Sequence, residues 1–138
     1  MSFLRVKDVN VEFDPIAPAG FRILWALGQL AAPRWIVITN GSEGHAPDNP
    51  HTRGEAYDVS VDGWTVDLTC LVHDALDSLL GPLFTVLYEC PQVPANPVLA
   101  GLATINTKAT APHFHLQIRQ GDESLQHVVL GDDREMPD

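Results

Sequence analysis

The 138-residue sequence predicts one α+β domain spanning residues 1–138, a mostly antiparallel sheet with helices packed on one side. Three observations predict it. Short runs rich in β-branched and aromatic residues, or strictly alternating, occur at residues 35–39 (WIVIT), 55–61 (EAYDVSV), 84–90 (FTVLYEC) and 113–118 (HFHLQI). Two longer stretches instead repeat their apolar residues at helical spacing. Hydrophobic residues make up 45% of the chain, enough to close a core at the length of one domain.

Taken in order, residues 14–20 (DPIAPAG) lead into the first helix, where Phe21, Leu24, Trp25, Leu27 and Leu30 recur and Pro33 is the stop. The run 35–39 reads as a buried strand. A loop follows over 40–52, rich in Gly, Pro, Asn, Asp and Ser, of a size that compact domains reserve for function. In EAYDVSV, Tyr57, Val59 and Val61 face one way, and Ala56, Asp58 and Ser60 the other. The second helix covers 66–80 with the stripe Leu68, Leu71, Val72, Ala75, Leu76, Leu79 and Leu80, and ends at Gly81-Pro82. FTVLYEC is the next strand, followed by a loop with Pro91, Pro94 and Pro97. A short segment around 102–106 pairs with a neighbour, HFHLQI follows, and 127–130 forms a last edge strand.

Composition excludes several classes. The formal net charge is −10, and no basic stripe, zinc-finger or helix-turn-helix signature accompanies it, so nucleic acid is not the expected partner. The first residues lack the apolar run of a signal peptide, and no apolar run is long enough for a membrane span. Synthesis in the cytoplasm without membrane insertion is expected. The acidic tail (Asp132, Asp133, Glu135, Asp138) reads as solvated. Cys70 and Cys90 lack CxxC spacing and read as free thiols. Ser42 and Ser60 have no evident base partner for a serine nucleophile.

The chemistry lies in two stretches. In HFHLQI, alternation puts His113, His115 and Gln117 on one face, and Phe114, Leu116 and Ile118 on the other. In His51-Thr-Arg-Gly54-Glu-Ala56-Tyr-Asp58, Gly54 allows a turn and small Ala56 leaves room beside the carboxylate of Asp58. If the two strands are neighbours, Asp58, His113 and His115 share a face and His51 reaches in from the loop. Three histidines and a carboxylate suit zinc, at bond lengths of about 2.0–2.2 Å.

HxxGxAxD followed by a later HxH resembles the zinc D-Ala-D-Ala carboxypeptidases and endolysin-type peptidases of the hedgehog/DD-peptidase fold. The resemblance covers roughly residues 20–120, and its specific part is the two motifs. It implies a hedgehog/DD-peptidase-like sheet and one Zn2+ per chain held by His51, Asp58 and His115. It also implies a catalytic role beside the metal for His113. Many members carry a glutamate three residues before the last zinc histidine; here Pro112 stands there, and the HxH arrangement resembles the murein endopeptidase branch, which manages without that glutamate. Glu89, on the site face of FTVLYEC, is the substitute candidate for a catalytic base. The arginine that many members place before the first motif is absent from Thr39-Asn40-Gly41-Ser42-Glu43, so Arg53, Lys108 and His45 are the substrate-binding candidates.

The resemblance implies hydrolysis of amide bonds in peptidoglycan stem peptides. The chain would reach the cell wall after release or as part of a phage virion. The alternative is a catalytically inactive zinc-holding module for cell-wall binding or tail structure, and a third reading is a metal-free domain with incidental histidines. His73 and His127 read as surface and structural residues.

Overall fold

The computed structural model describes residues 4–8, 10–31, 36–46 and 48–119. Pro33, Trp35, the expected strand at 127–130 and the acidic tail lie outside the described residues. The elements are β1 (Leu4–Val6), α1 (Pro18–Ala31), β2 (Ile36–Asn40), β3 (Ala56–Ser60), α2 (Val66–Leu80), β4 (Phe84–Cys90), α3 (Pro97–Leu102), β5 (Ala103–Ile105) and β6 (His113–Ile118). They form an α+β structure with one six-stranded sheet in the order β1-β2-β3-β6-β4-β5.

The sheet is mixed, which corrects the mostly antiparallel expectation. Its three inner pairings, β2 with β3, β3 with β6 and β6 with β4, are antiparallel. Both edges are parallel: β1 runs with β2, and β5 with β4. The edge connections explain this. Each carries a helix, α1 between β1 and β2 and α3 between β4 and β5, and a helical crossover returns the chain in its starting direction.

One face of the sheet is the core. Tyr57 and Val59 of β3, Val86 and Tyr88 of β4, and Phe114, Leu116 and Ile118 of β6 are buried there, under Ile23 and Leu27 of α1 and Val72 and Leu76 of α2. The helices' buried stripes are set differently from the sequence reading. Phe21 is 51% and Leu71 61% exposed, while Ala19, Ile23, Ala26 and Leu27 turn inward on α1. Small Ala19 and Ala26 let α1 lie close to the sheet, so the buried line runs through them and not through the larger Phe21.

Capping sets the helix ends. Thr65 Oγ1 accepts from Leu68 N at 3.1 Å at the start of α2, and Gly81, at φ +78°, closes it through its N–H to Asp77 O. The proline-rich stretch after β4, read as a loop, holds α3. Asn96 caps it, with Oδ1 accepting from Val98 N at 2.9 Å and Leu99 N at 3.2 Å, and Pro97 suits the first helical position because its missing N–H would be unpaired there.

Candidate metal centre

The opposite face of the sheet carries the site. β6 lies between β3 and β4, so HFHLQI presents its polar side to strands on both flanks. Asp58 stands opposite His115, Ser60 opposite His113, and Ala56 opposite Gln117. On the other flank Glu89 stands opposite His113. The alternation read from the sequence thus puts Asp58, His113, His115, Gln117 and Glu89 on one face. Asp58, His113, His115 and Glu89 line one cleft of about 700 Å3 with His51 and His45.

His51 arrives from the loop before β3. Successive tight turns wind the chain there: Thr52 N donates to Asn49 O, Gly54 N to His51 O, and Glu55 N to Pro50 O, each at 3.0 Å. Asn49 Oδ1 accepts the His51 amide at 2.9 Å. Gly54 takes φ +71°, and a Cβ there would lie 2.1 Å from Pro15 O. Only glycine meets both conditions. His51 is 4% exposed.

The donor atoms converge closely. His115 Nδ1 lies 2.8 Å from Asp58 Oδ1. His51 Nε2 lies 3.4 Å from the same oxygen and 3.3 Å from His115 Nδ1. A tetrahedral ion with bonds of about 2.0–2.1 Å holds neighbouring ligand atoms roughly 3.3 Å apart. The three edges fall within about half an ångström of that triangle.

The far side of each ring decides what faces the centre. His51 Nδ1 lies 3.0 Å from Gly41 O, and a carbonyl only accepts, so Nδ1 carries the proton. His115 Nε2 lies 2.6 Å from Gln117 Oε1, while the Gln117 amide nitrogen donates to Ile118 O at 3.3 Å. His115 Nε2 is therefore also a donor. Neutral, both rings then aim lone pairs at the Asp58 carboxylate. Three electron-rich atoms on one point require a cation between them, either a proton or a metal ion.

The electrostatics agree. Burial raises the Asp58 pKa, but hydrogen bonds from His115 and His51 and their charges outweigh it and hold the carboxyl well below the usual carboxylate range. For His115, burial lowers the pKa, and the Asp58 hydrogen bond and charge win and raise it. Without metal, this favours a proton on His115 Nδ1 pointing at Asp58.

One further residue, Asn40, not read from the sequence as a site residue, supports the carboxylate and links it to His45. Asn40 Nδ2 donates to Asp58 Oδ2 at 3.3 Å, and Asn40 Oδ1 accepts from His45 Nε2 at 2.9 Å. His45 stacks on His51 with ring centroids 4.4 Å apart. Burial, then the neighbouring His51, lower the His45 pKa. A register irregularity between Ile38 and Asn40 makes this possible. In a regular strand the two would share a face; the shift leaves Ile38 in the core and turns Asn40 to the site.

A second pair stands beside the triad. His113 Nδ1 donates to Ala111 O at 2.9 Å, and its Nε2 lies 3.0 Å from Glu89 Oε1 and 3.9 Å from Asp58 Oδ1. With Nδ1 donating to Ala111 O, Nε2 is the nitrogen that faces the Glu89 carboxylate.

Of the substrate-binding candidates, His45 and Lys108 line the cleft. Arg53 does not, and this corrects the expectation. Its Nε pairs with buried Glu55 at 2.5 Å and its Nη1 donates to Asp48 O at 2.9 Å, so it ties down the loop that carries His51. His73 lies partly buried on α2, 3.1 Å from Asp74 and away from the cleft. Cys70 and Cys90 are free. Among the described residues no helix is long and apolar enough to cross a membrane. The chain matches no family model, no curated protein and no solved structure.

Proposed function

We propose that the protein is a zinc-dependent peptidase with a hedgehog/DD-peptidase-like fold, hydrolysing amide bonds in peptidoglycan stem peptides. The observation that carries it is the convergence of His51 Nε2, Asp58 Oδ1 and His115 Nδ1, all electron-rich and at ligand spacing. Three ligands on one side leave the cleft side open, the arrangement of a catalytic site. Zinc held there supplies Lewis acidity toward a carbonyl and lowers the pKa of water to about 7. The chain's own part is proton handling. The Glu89–His113 pair takes a proton at Oε1 or Nε2 from the attacking side and returns it to the leaving amine, directly or through one water. Glu89 thereby supplies the carboxylate that Pro112 lacks. The protein acts on the cell wall after release from the cytoplasm, or as part of a virion.

The test measures metal content by elemental mass spectrometry on protein purified without chelator or histidine tag, followed by muropeptide digestion. About one zinc per chain is expected, lost together with hydrolysis in His115→Ala and Asp58→Ala. His113→Ala should keep the metal and lose rate by about a hundredfold or more. Wild-type activity in either ligand variant would refute the assignment. Zinc without hydrolysis would favour the inactive zinc-holding module, the reading that Pro112 motivates. No zinc after re-addition would leave a metal-free domain.

A further inference from the structure

The chain has two lysines, Lys7 and Lys108, and both line the cleft that holds the triad. They do so in a molecule of net charge −10. No arginine joins them in the cleft among the described residues. Lys7 follows β1 and Lys108 follows β5, the two opposite edges of the sheet, so the metal-site strands β3 and β6 lie between them.

Neither lysine is consumed by the site. Asp58 has His51 and His115 as partners, and Glu89 has His113. Lys7 Nζ lies 3.9 Å from Asp8, a contact at the limit of an ion pair between largely exposed groups. The Lys108 ammonium has no partner among the described residues. Both backbones are nevertheless fixed. Lys7 N donates to Ile38 O at 2.8 Å. Asn106 Oδ1 accepts Lys108 N at 3.1 Å, and Asn106 is itself tied to β4 through Cys90 O at 2.8 Å. The Asn106 amide also donates to Glu89 at 3.5 Å, which links the Lys108 wall to the proton-handling pair.

The charges then invert locally. The two lysines offset Asp58 and Glu89, so a divalent ion on the triad leaves its own charge uncompensated in the cleft. Such a cleft favours anionic ligands even in an acidic chain. We propose that the cleft recognises a peptide with a carboxylate on each side of the hydrolysed amide, one paired with Lys108 and the other with Lys7. This rests on the peptidase reading and adds the substrate's charge pattern to it.

The test uses the zinc-loaded full chain and three peptides of one sequence, N-methylated at the central amide so that none is cut. One has carboxylates on both sides, and the other two have one or the other converted to a carboxamide. Calorimetry should show about fivefold weaker binding for each carboxylate lost, shrinking as salt is raised. Lys108→Met should erase the preference for one carboxylate and Lys7→Met that for the other, with zinc content unchanged. Equal affinity for all three peptides, or no binding of any, would overturn the proposal, as would variants that weaken every peptide alike. The unmethylated peptide separates the two readings. A carboxylate preference without hydrolysis keeps the anion sites and removes the peptidase. Hydrolysis indifferent to carboxylates does the reverse.

Discussion

A single side chain decides whether His115 serves as a ligand through the right atom. Its two nitrogens differ only in what they touch: Nδ1 faces Asp58 and Nε2 faces Gln117 Oε1 at 2.6 Å. Gln117 therefore holds the proton on Nε2 and keeps the lone pair of Nδ1 on the centre, the role carboxylates and carbonyls play behind many metal-bound histidines. Gly41 O does the same for His51, but a backbone carbonyl cannot be substituted away. Gln117→Leu keeps the volume and removes the acceptor. We expect zinc affinity, measured by competition with a chromophoric chelator, to fall about tenfold to a hundredfold with the far-UV spectrum unchanged. An unchanged affinity would mean that the Gln117 contact does not set the tautomer. HFHLQI shows Gln117 on the histidine face. That it bonds His115 follows from Ala56 opposite, whose methyl leaves the space, a pairing visible only once β3 and β6 are in register.

At the level of elements, the sequence announces what repetition encodes and is silent where one residue breaks the repetition. The second helix and the strands 84–90 and 113–118 have the bounds that their apolar period implies, because burial on one face enforces that period. The shared face of Asp58, His113 and His115 follows from the same alternation once EAYDVSV and HFHLQI are neighbours, as they are in the sheet. Asn40 does not, because it reaches the site through a register shift that no alternation records. Nor does β1, three residues long, or α3, whose signal is an Asn-Pro cap inside a proline-rich stretch, whereas β5 falls inside the 102–106 segment expected to pair with a neighbour. The loop that carries His51 hinges on Gly54, and two glycines separate its two demands. Gly63 has φ +79° with open space around it, whereas Gly54 has φ +71° and Pro15 O at 2.1 Å from a Cβ. Gly63→Ala should cost about 1 kcal/mol for the left-handed backbone alone, and Gly54→Ala roughly 3 kcal/mol or more, both read from urea unfolding. Gly54→Ala should also loosen zinc, since the clash moves the turn that ends in His51. Equal losses for the two variants would mean that the loop yields and that the approach to Pro15 is not a constraint.

For the whole molecule, the triad links stability to pH with a sign that metal reverses on one side. Asp58 has a depressed pKa in the folded chain. Its contribution is complete above the unfolded value near 3.9 and is lost as pH falls through the lower folded value. His115 has a raised pKa. Its contribution is complete below the unfolded value near 6.5 and is lost as pH rises through the higher folded value. The metal-free chain should therefore gain most from this pair between about pH 4 and 6.5. Above that window the proton leaves and three lone pairs face one another across edges of 2.8, 3.3 and 3.4 Å. A zinc ion replaces that proton. It competes poorly with the proton below about pH 6 and binds freely above it, because the imidazole must be deprotonated to ligate. Thermal unfolding with zinc and with chelator should thus give melting temperatures that nearly coincide at pH 5 and separate steadily toward pH 8, the chelated curve falling while the zinc curve holds. Parallel curves across that range would show that the cation required by the converging lone pairs is not the one that stabilises the fold. The same separation should vanish in His115→Ala, which has neither the proton nor the metal to lose.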